Sequence, residues 1–232
     1  MLIFGAIGAL LSTTVLFNIG RIEVETASDQ YSASKIIEAS EVREGSNLFT
    51  LNAKKIEQNI ATRLPYVESV TLKRVLPDKL VIVTEDAKAQ YQYAFKKGYL
   101  LVSQNGKVLE KVKKKKPDMM VIKAELADKP KAGYSLEFLD PGDADAFAGL
   151  MDKLREYDLL EETSYIDFSD PLNISLLYQG RLKIVLGSIL NLDLKLGSAV
   201  DMCTQRLEPD EMGILDVSII NEATFQPRDE LF

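Results

Sequence analysis

The chain has 232 residues, of which 46% are hydrophobic and 27% charged, and its 35 acidic and 28 basic side chains give a net charge of -7. This length and apolar content predict a folded protein with an anchor and two small modules, and they exclude a largely disordered chain. The acidic balance is spread along the whole chain, which excludes nucleic acid as a partner.

The first predicted element is a membrane anchor over residues 1–20. This segment contains no charged side chain, and a helix of that length reaches roughly 30 Å, the thickness of a bilayer hydrocarbon core. A secretory signal peptide and a buried core helix are the alternatives. Because a signal peptide would show a basic beginning and a small-residue cleavage site, which this segment lacks, the pattern favours a transmembrane helix.

Residues 21–88 predict a small module of strand, helix, helix, strand and strand. Ile22 and Val24 alternate with charged residues, which is typical of a half-buried strand. The elements that follow are a helix around Ile36 capped by Ser32 or Ser34, a helix from Asn52 to Leu64, and two strands, Val67–Leu76 and Leu80–Thr84, joined at Pro77-Asp78.

Residues 89–226 predict a second module of hairpins and two helices, followed by a tail over residues 227–232. An Asn105-Gly106 turn suits a two-residue hairpin, and the lysine-rich run 111–116 predicts a solvated loop. The other elements are the hairpin arms Tyr99–Val102 and Lys107–Val112; a helix with Phe147, Leu150, Met151 and Leu154 on one face; a strand with Ile166 and Phe168; a hairpin of Asn173–Tyr178 and Arg181–Leu186; a helix with Leu196, Ala199, Val200, Cys203 and Leu207; and a closing strand, Ile214–Ile220.

The first module resembles the polypeptide-transport-associated (POTRA) domain of the FtsQ/DivIB cell-division family. Each matching string is short, but their order and spacing directly after one hydrophobic span are specific. The resemblance implies an α+β protein: a transmembrane helix, a POTRA module and a β-domain. The strings are Ile22–Val24, Tyr31–Ile36, Gly45–Phe49, Leu64–Val67, Arg74–Pro77, Leu80–Glu85, Gly98–Leu101 and Asn105-Gly106.

The residue types argue against catalysis. The chain has no histidine, which removes the commonest general base and metal ligand. No glycine-rich phosphate cradle occurs, and the lone Cys203 fits an apolar helical stripe. We therefore predict no catalytic, cofactor-binding or metal site, no cofactor and no small-molecule substrate.

The closing strand and the segment after it are the predicted partner-binding region. The resemblance implies that the last strand pairs with a coiled-coil protein of the FtsB type, called DivIC in Gram-positive lineages. The alternative is an ordinary core strand with a frayed tail. The candidate partner-binding residues are Val217, Ile219, Asn221, Thr224 and Phe225.

The resemblance implies a non-catalytic, single-pass scaffold of the bacterial divisome in the plasma membrane at the septum. Most of the chain would then lie outside the cytoplasm and contact FtsB/DivIC-like and FtsL-like proteins. Two alternatives are a POTRA-type polypeptide-transport component and a wall-modifying hydrolase. The single module and the short chain count against the first, and the absence of histidine counts against the second.

Overall fold

The computed structural model describes residues 15–26 and 30–229. Helices and strands are mixed along the chain, which confirms the expected α+β class. The chain forms two compact units, each with its own sheet. The first contains the residues up to Lys88 together with 107–109 and 132–134, and the second contains Ala89–Gly106, Glu110–Lys131 and the residues from Ser135 onward.

The first unit is a three-stranded sheet with two helices, in the predicted element order. The central strand, β3, pairs in parallel with β1 on one side and antiparallel with β2 on the other. The helices bury Ile36, Ile56 and Ile60 in one core with Leu80 and Ile82 of the central strand. The elements are β1 (Arg21–Thr26), α1 (Ala33–Ser40), α2 (Ala53–Arg63), β2 (Val67–Val75) and β3 (Lys79–Asp86).

Side-chain caps fix where the two helices begin. The Ser32 hydroxyl accepts a hydrogen bond from the Lys35 amide at 3.4 Å, and the Asn52 side-chain oxygen accepts one from the Lys55 amide at 3.1 Å. Each bond satisfies one of the free amides of a first helical turn. Asn52 is therefore confirmed as a cap, and of the two candidate serines Ser32 is the one that caps its helix.

Residues 17–20, the end of the predicted membrane span, pack in the first unit. The Ile19 amide donates to the Ser46 carbonyl at 2.8 Å, and the Leu48 amide donates to the Phe17 carbonyl at 2.9 Å. The Ile19 side chain is 2% exposed and belongs to the core. Residues 1–14 of the predicted span lie outside the described residues. Of the helices that the structure describes, none has both the length and the apolarity needed to cross a membrane.

The larger sheet has nine strands and belongs, with two helices, to the second unit, apart from residues 108 and 109 at the beginning of one edge strand, which group with the first unit. Its strands lie in the order β12-β11-β10-β9-β8-β7-β4-β5-β6. The elements are β4 (Ala89–Phe95), β5 (Gly98–Ser103), β6 (Val108–Val112), β7 (Val121–Ala124), α3 (Pro141–Glu156), β8 (Thr163–Phe168), β9 (Ile174–Tyr178), β10 (Leu182–Gly187), α4 (Leu192–Asp201), β11 (Gly213–Ile219) and β12 (Glu222–Pro227).

Both predicted hairpins and both helices of the second unit are confirmed, with small shifts at their ends. The predicted face of α3 is buried at Phe147, Leu150, Met151 and Leu154. The last helix is shorter than its apolar stripe, because it ends at Asp201 and a π-helical turn, Met202–Arg206, follows. Three strands were not predicted: β4, β7 and β12.

Gln92 explains why β4 lacks the alternation of apolar residues that is typical of a half-buried strand. Its side chain is polar but fully buried, at 0% exposure. The side-chain amide donates to the Lys116 and Met119 carbonyls at 2.8 and 2.7 Å, and its oxygen accepts from the Lys116 amide at 2.8 Å. These bonds compensate the burial and anchor the lysine-rich loop, in which residues 113–116 are exposed as predicted.

We expect Ile19→Ala to lower the stability of the first unit by about 2–4 kcal/mol, because it leaves a cavity in a closed core. The matched control is Leu16→Ala, three residues earlier, whose side chain is exposed and should change stability by less than about 0.5 kcal/mol. Both stability changes can be measured by amide hydrogen exchange at Leu80 and Ile82 in a chain that begins at residue 15. Equal effects of the two substitutions would contradict the placement of residues 17–20 in the core.

Candidate partner-binding edge

The outermost strand of the nine-stranded sheet is β12, not the predicted closing strand. β11 lies between β10, with which it pairs in parallel, and β12, with which it pairs antiparallel. The turn between β11 and β12 contains Asn221 in a left-handed conformation, with φ of 62°. Since β12 has a neighbour on one side only, it is the free edge of the sheet at this end.

The register shows which backbone groups of β12 face outward. Gly213 lies opposite Pro227 and Leu215 opposite Phe225, and the Arg228 amide donates to the Met212 carbonyl at 3.0 Å. In an antiparallel ladder, alternate residues direct their N–H and C=O groups to the same side. Thr224, Gln226 and Arg228 therefore direct theirs to β11, and Ala223, Phe225 and Pro227 direct theirs away from the sheet.

The free edge has limited length. Ala223 and Phe225 each present an amide and a carbonyl, whereas Pro227 presents only a carbonyl because proline has no N–H. At the other end the register shifts between Asp216 and Ile219 of β11, and the Asn221 turn follows. This edge can therefore accept a short extended segment, centred on Ala223 and Phe225.

The five candidate residues do not form one surface strip. Val217 is buried on β11, whereas Ile219 at the end of β11 is 61% exposed. Asn221 occupies the turn and Thr224 is exposed on β12. The structure thus places two candidates on the covered strand, one in the turn and two on the free strand.

The ring of Phe225 covers Gly213 of the neighbouring strand. A Cβ atom added at Gly213 would lie 2.7 Å from Cε2 of Phe225 and 2.3 Å from the Gln226 carbonyl oxygen. The ring of Phe225 can lie here only because Gly213 has no side chain. Phe225 is half-buried as a result, and it holds β12 against the sheet instead of pointing freely outward.

A cleft of about 430 Å³ adjoins the beginning of β12. Its other wall includes Met202 and an ion pair in which Arg206 Nη2 lies 3.2 Å from Asp201 Oδ2. Asp201 is the last residue of α4, and Met202 and Arg206 belong to the π-helical turn that follows it. All three come close to the edge only through the fold. No sequence signal marked them, because charged residues near a helix end are ordinary. The cleft can take a side chain of a segment bound along β12.

A larger open groove of about 930 Å³ lies elsewhere in the second unit, with Tyr91, Met119, Glu161 and Tyr165 among its walls. Burial, followed by the nearby Asp167 carboxylate, raises the pKa of Tyr165 to about 12, so this hydroxyl stays neutral at physiological pH. The groove offers both polar and apolar side chains as contacts.

Cys203 lies in the π-helical turn, half-buried. Burial raises the pKa of its thiol, so the thiol stays protonated and is a poor nucleophile. Within residues 15–26 and 30–229, no group of three or more Cys, Asp or Glu side chains is placed to hold a metal ion.

The chain is similar to known cell-division proteins. Residues 17–85 match the family described as POTRA domain, FtsQ-type. The chain is 29% identical over 199 residues to the cell division protein DivIB of Clostridium tetani, covering 83% of this chain and 72% of that protein. It is 26% identical over 213 residues to DivIB of Clostridium botulinum strain Hall, covering 90% and 81%.

A shorter similarity involves an FtsQ protein. Over 67 residues the chain is 37% identical to the cell division protein FtsQ of Corynebacterium glutamicum, which is 29% of each chain. With the DivIB relatives and the FtsQ-type POTRA match, this confirms the resemblance that the sequence motifs indicated.

We expect Gly213→Ala to weaken the docking of β12 by about 1–3 kcal/mol, because the added methyl group meets a backbone oxygen and the Phe225 ring. Hydrogen exchange of the Thr224 and Gln226 amides should accelerate accordingly. Gly149→Ala is the control. Gly149 lies inside α3 with open space around it, so this substitution should raise the stability of the protein by about 0.5–1 kcal/mol. Unchanged exchange in Gly213→Ala would contradict the packing of Phe225 on β11.

Proposed function

We propose that this chain, which resembles the FtsQ/DivIB cell-division proteins over most of its length, is a non-catalytic scaffold of the bacterial divisome. It is a single-pass protein of the plasma membrane that links other division proteins at the septum through contacts outside the cytoplasm. The names of its relatives and the FtsQ-type POTRA match support the division role. The residues before the first unit, 1–14, contain no charged side chain, and this supports the anchor because a charge in the bilayer core is costly.

The free edge of β12 carries the partner-binding part of the proposal. A partner segment adds to the sheet as a further strand, with main-chain hydrogen bonds to Ala223 and Phe225. Each such bond contributes roughly 0.5–1.5 kcal/mol net, so a few of them fall short of the roughly 8 kcal/mol that micromolar binding needs. Side-chain contacts must supply the rest, and the cleft beside β12, with Arg206 in its wall, offers the space for them.

The opposite edge of the nine-stranded sheet is less suitable for strand addition. At its beginning, β6 is already paired: the Val108 amide donates to the Tyr134 carbonyl at 2.9 Å, and the Gly133 amide donates to the Val108 carbonyl at 2.8 Å. At its end, Lys111 is followed by the lysine-rich loop, and lysines are common protection against edge pairing. β12 has the sequence Glu, Ala, Thr, Phe, Gln and Pro, which contains no lysine. Among the described strands, β11 is its only neighbour in the sheet.

The partners proposed are FtsB/DivIC-like and FtsL-like coiled-coil proteins. A short extended segment beyond a coiled coil fits an edge of this length, since a helix cannot extend a sheet. An acidic side chain in that segment can meet Arg206 in the cleft, in exchange for its ion pair with Asp201.

Ala223→Pro tests the edge. Proline removes one outward amide and places a ring where the partner backbone would lie, while edge strands tolerate it. We expect binding of a DivIC-like extracytoplasmic fragment to weaken at least tenfold, about 1.4 kcal/mol, with little change in the melting temperature. Ala223→Ser keeps the amide and should bind like the unmodified chain. Equal affinities of the two variants, both folded, would exclude strand addition at β12.

Depletion in the source organism tests the division role. We expect cells to keep growing in mass while septation stops, which gives filaments or enlarged cells. A second copy with Ala223→Ser should restore division, and a copy with Ala223→Pro should not, at equal protein levels measured by immunoblot. Normal septation after complete depletion would refute the divisome assignment.

A further inference from the structure

One end of the first unit carries an exposed apolar surface, which we call the apolar tip: Leu16, Phe17, Phe49, Val75 and Leu76. Four of these side chains are exposed, at 67% for Leu16, 48% for Phe49, 42% for Val75 and 57% for Leu76. They are also all of the exposed large hydrophobic side chains among the described residues up to Lys88. Single exposed apolar residues are normally scattered over a protein surface. Four of them at one end of the unit therefore indicate a binding surface.

Hydrogen bonds gather three separate segments at this end. The Leu48 amide donates to the Phe17 carbonyl at 2.9 Å, and the Gly20 amide donates to the Asp78 carbonyl at 2.8 Å. Arg74 Nε donates to the Leu48 carbonyl at 2.8 Å. The first bond joins the N-terminal segment to the loop that carries Phe49. The other two bring in the turn between β2 and β3, which carries Val75 and Leu76.

The contacts of Phe17 and Phe49 fix the middle of the tip. Their rings meet edge to face, with centroids 5.0 Å apart, and the Phe49 amide donates to the Asn47 side-chain oxygen at 2.9 Å. Phe49 is therefore held with one side of its ring on Phe17 and the rest in solvent. An ordered but exposed aromatic side chain is typical of a binding surface.

The chain itself places the tip beside the predicted anchor. Residues 1–14 contain no charged side chain, and Leu16 and Phe17 follow residue 14 by two and three positions. Even a fully extended chain spans at most about 3.6 Å per residue, so Leu16 and Phe17 lie within about 11 Å of residue 14. The hydrogen bonds of Ile19 to Ser46 and of Gly45 to Ile19 hold this segment in the first unit. The chain between residue 14 and the first unit is therefore short.

We propose that the apolar tip is a lipid-docking surface, by which the first unit rests on the membrane with Phe49 and Leu76 in the interface between headgroups and acyl chains. This inference rests on the proposed membrane anchor. Headgroup regions are roughly 5–7 Å deep on each side of a bilayer, so the part of the tip at Leu16 and Phe17, which the chain holds within about 11 Å of residue 14, reaches this zone. Apolar and aromatic side chains are stabilised there.

The charges around the tip agree with a lipid surface. Arg21 and Arg43 are exposed next to the N-terminal segment and its paired loop, at positions where they can meet lipid phosphates. Glu44 and Asp78 are exposed near them, so the surroundings are mixed and the apolar side chains form the contact itself. Docking would hold the first unit at a fixed height above the membrane.

Fluorescence quenching by lipid tests this directly, because the chain contains no tryptophan. Leu76→Trp and Phe49→Trp each introduce one indole at the tip of the full chain. The control, Leu172→Trp, introduces it at a leucine of the second unit that is even more exposed, at 72%. The proteins are reconstituted into phosphatidylcholine vesicles with and without bromine on the acyl chains near the headgroup, and folding is checked by circular dichroism.

We expect the brominated lipid to reduce the emission of the indoles at positions 49 and 76 at least twofold, with a shift to shorter wavelength, and to leave position 172 unchanged. Vesicle flotation separates the two proposals. If the chain floats with the vesicles but positions 49 and 76 are quenched no more than 172, the tip is not a lipid surface while the anchor stands. If the chain does not float, both the anchor and the docking are wrong, and the division role is still tested by depletion.

Discussion

Parallel pairing of strands determines where the helices lie in both units. Two parallel neighbours cannot be joined by a tight turn and need a crossover, usually a helix. β1 and β3 are parallel, and α1 and α2 lie between them in the chain. The same holds for α3 between β7 and β8, and for α4 between β10 and β11. Each described α-helix therefore lies between the two strands of a parallel pair. The remaining parallel pair, β4 and β7, is connected through β5 and β6 instead of a helix.

The elements that the sequence predicts are those whose cause is local. Caps at Ser32 and Asn52, and the hairpin turns at Asn105-Gly106 and Gln179-Gly180, depend on residues a few positions apart. β4 was missed because its buried Gln92 finds its partners more than twenty residues away. β12 was missed because Phe225 is its only partly buried side chain, so it has no alternation to detect. The candidate site shares this limit, since its outward groups belong to the backbone and its cleft residues, Asp201 and Arg206, meet β12 only through the fold.

The two edge strands of the nine-stranded sheet, β6 and β12, are protected from unwanted pairing in different ways. A free edge strand invites pairing with other chains, and proteins normally cover it, charge it or shorten it. The β6 end is covered at Val108 and followed by lysines. The β12 end is only shortened, by Pro227 and by the irregular register near Ile219. A shortened edge can still pair with a short segment, which agrees with the partner binding that we propose at β12.

The position of β12 also sets the order in which this edge can appear during synthesis. β11 and β12 are the last strands of the described chain to leave the ribosome, and domains fold progressively from the N-terminus. Before residue 213 emerges, the sheet ends at β10, whose alternate residues Leu182, Ile184 and Leu186 are fully buried in the finished fold. A chain that stops early thus has an apolar edge instead of the short, selective one. Completion of translation is thereby a condition for the partner binding that we propose at β12, and truncated products are expected to be cleared by proteases or to aggregate.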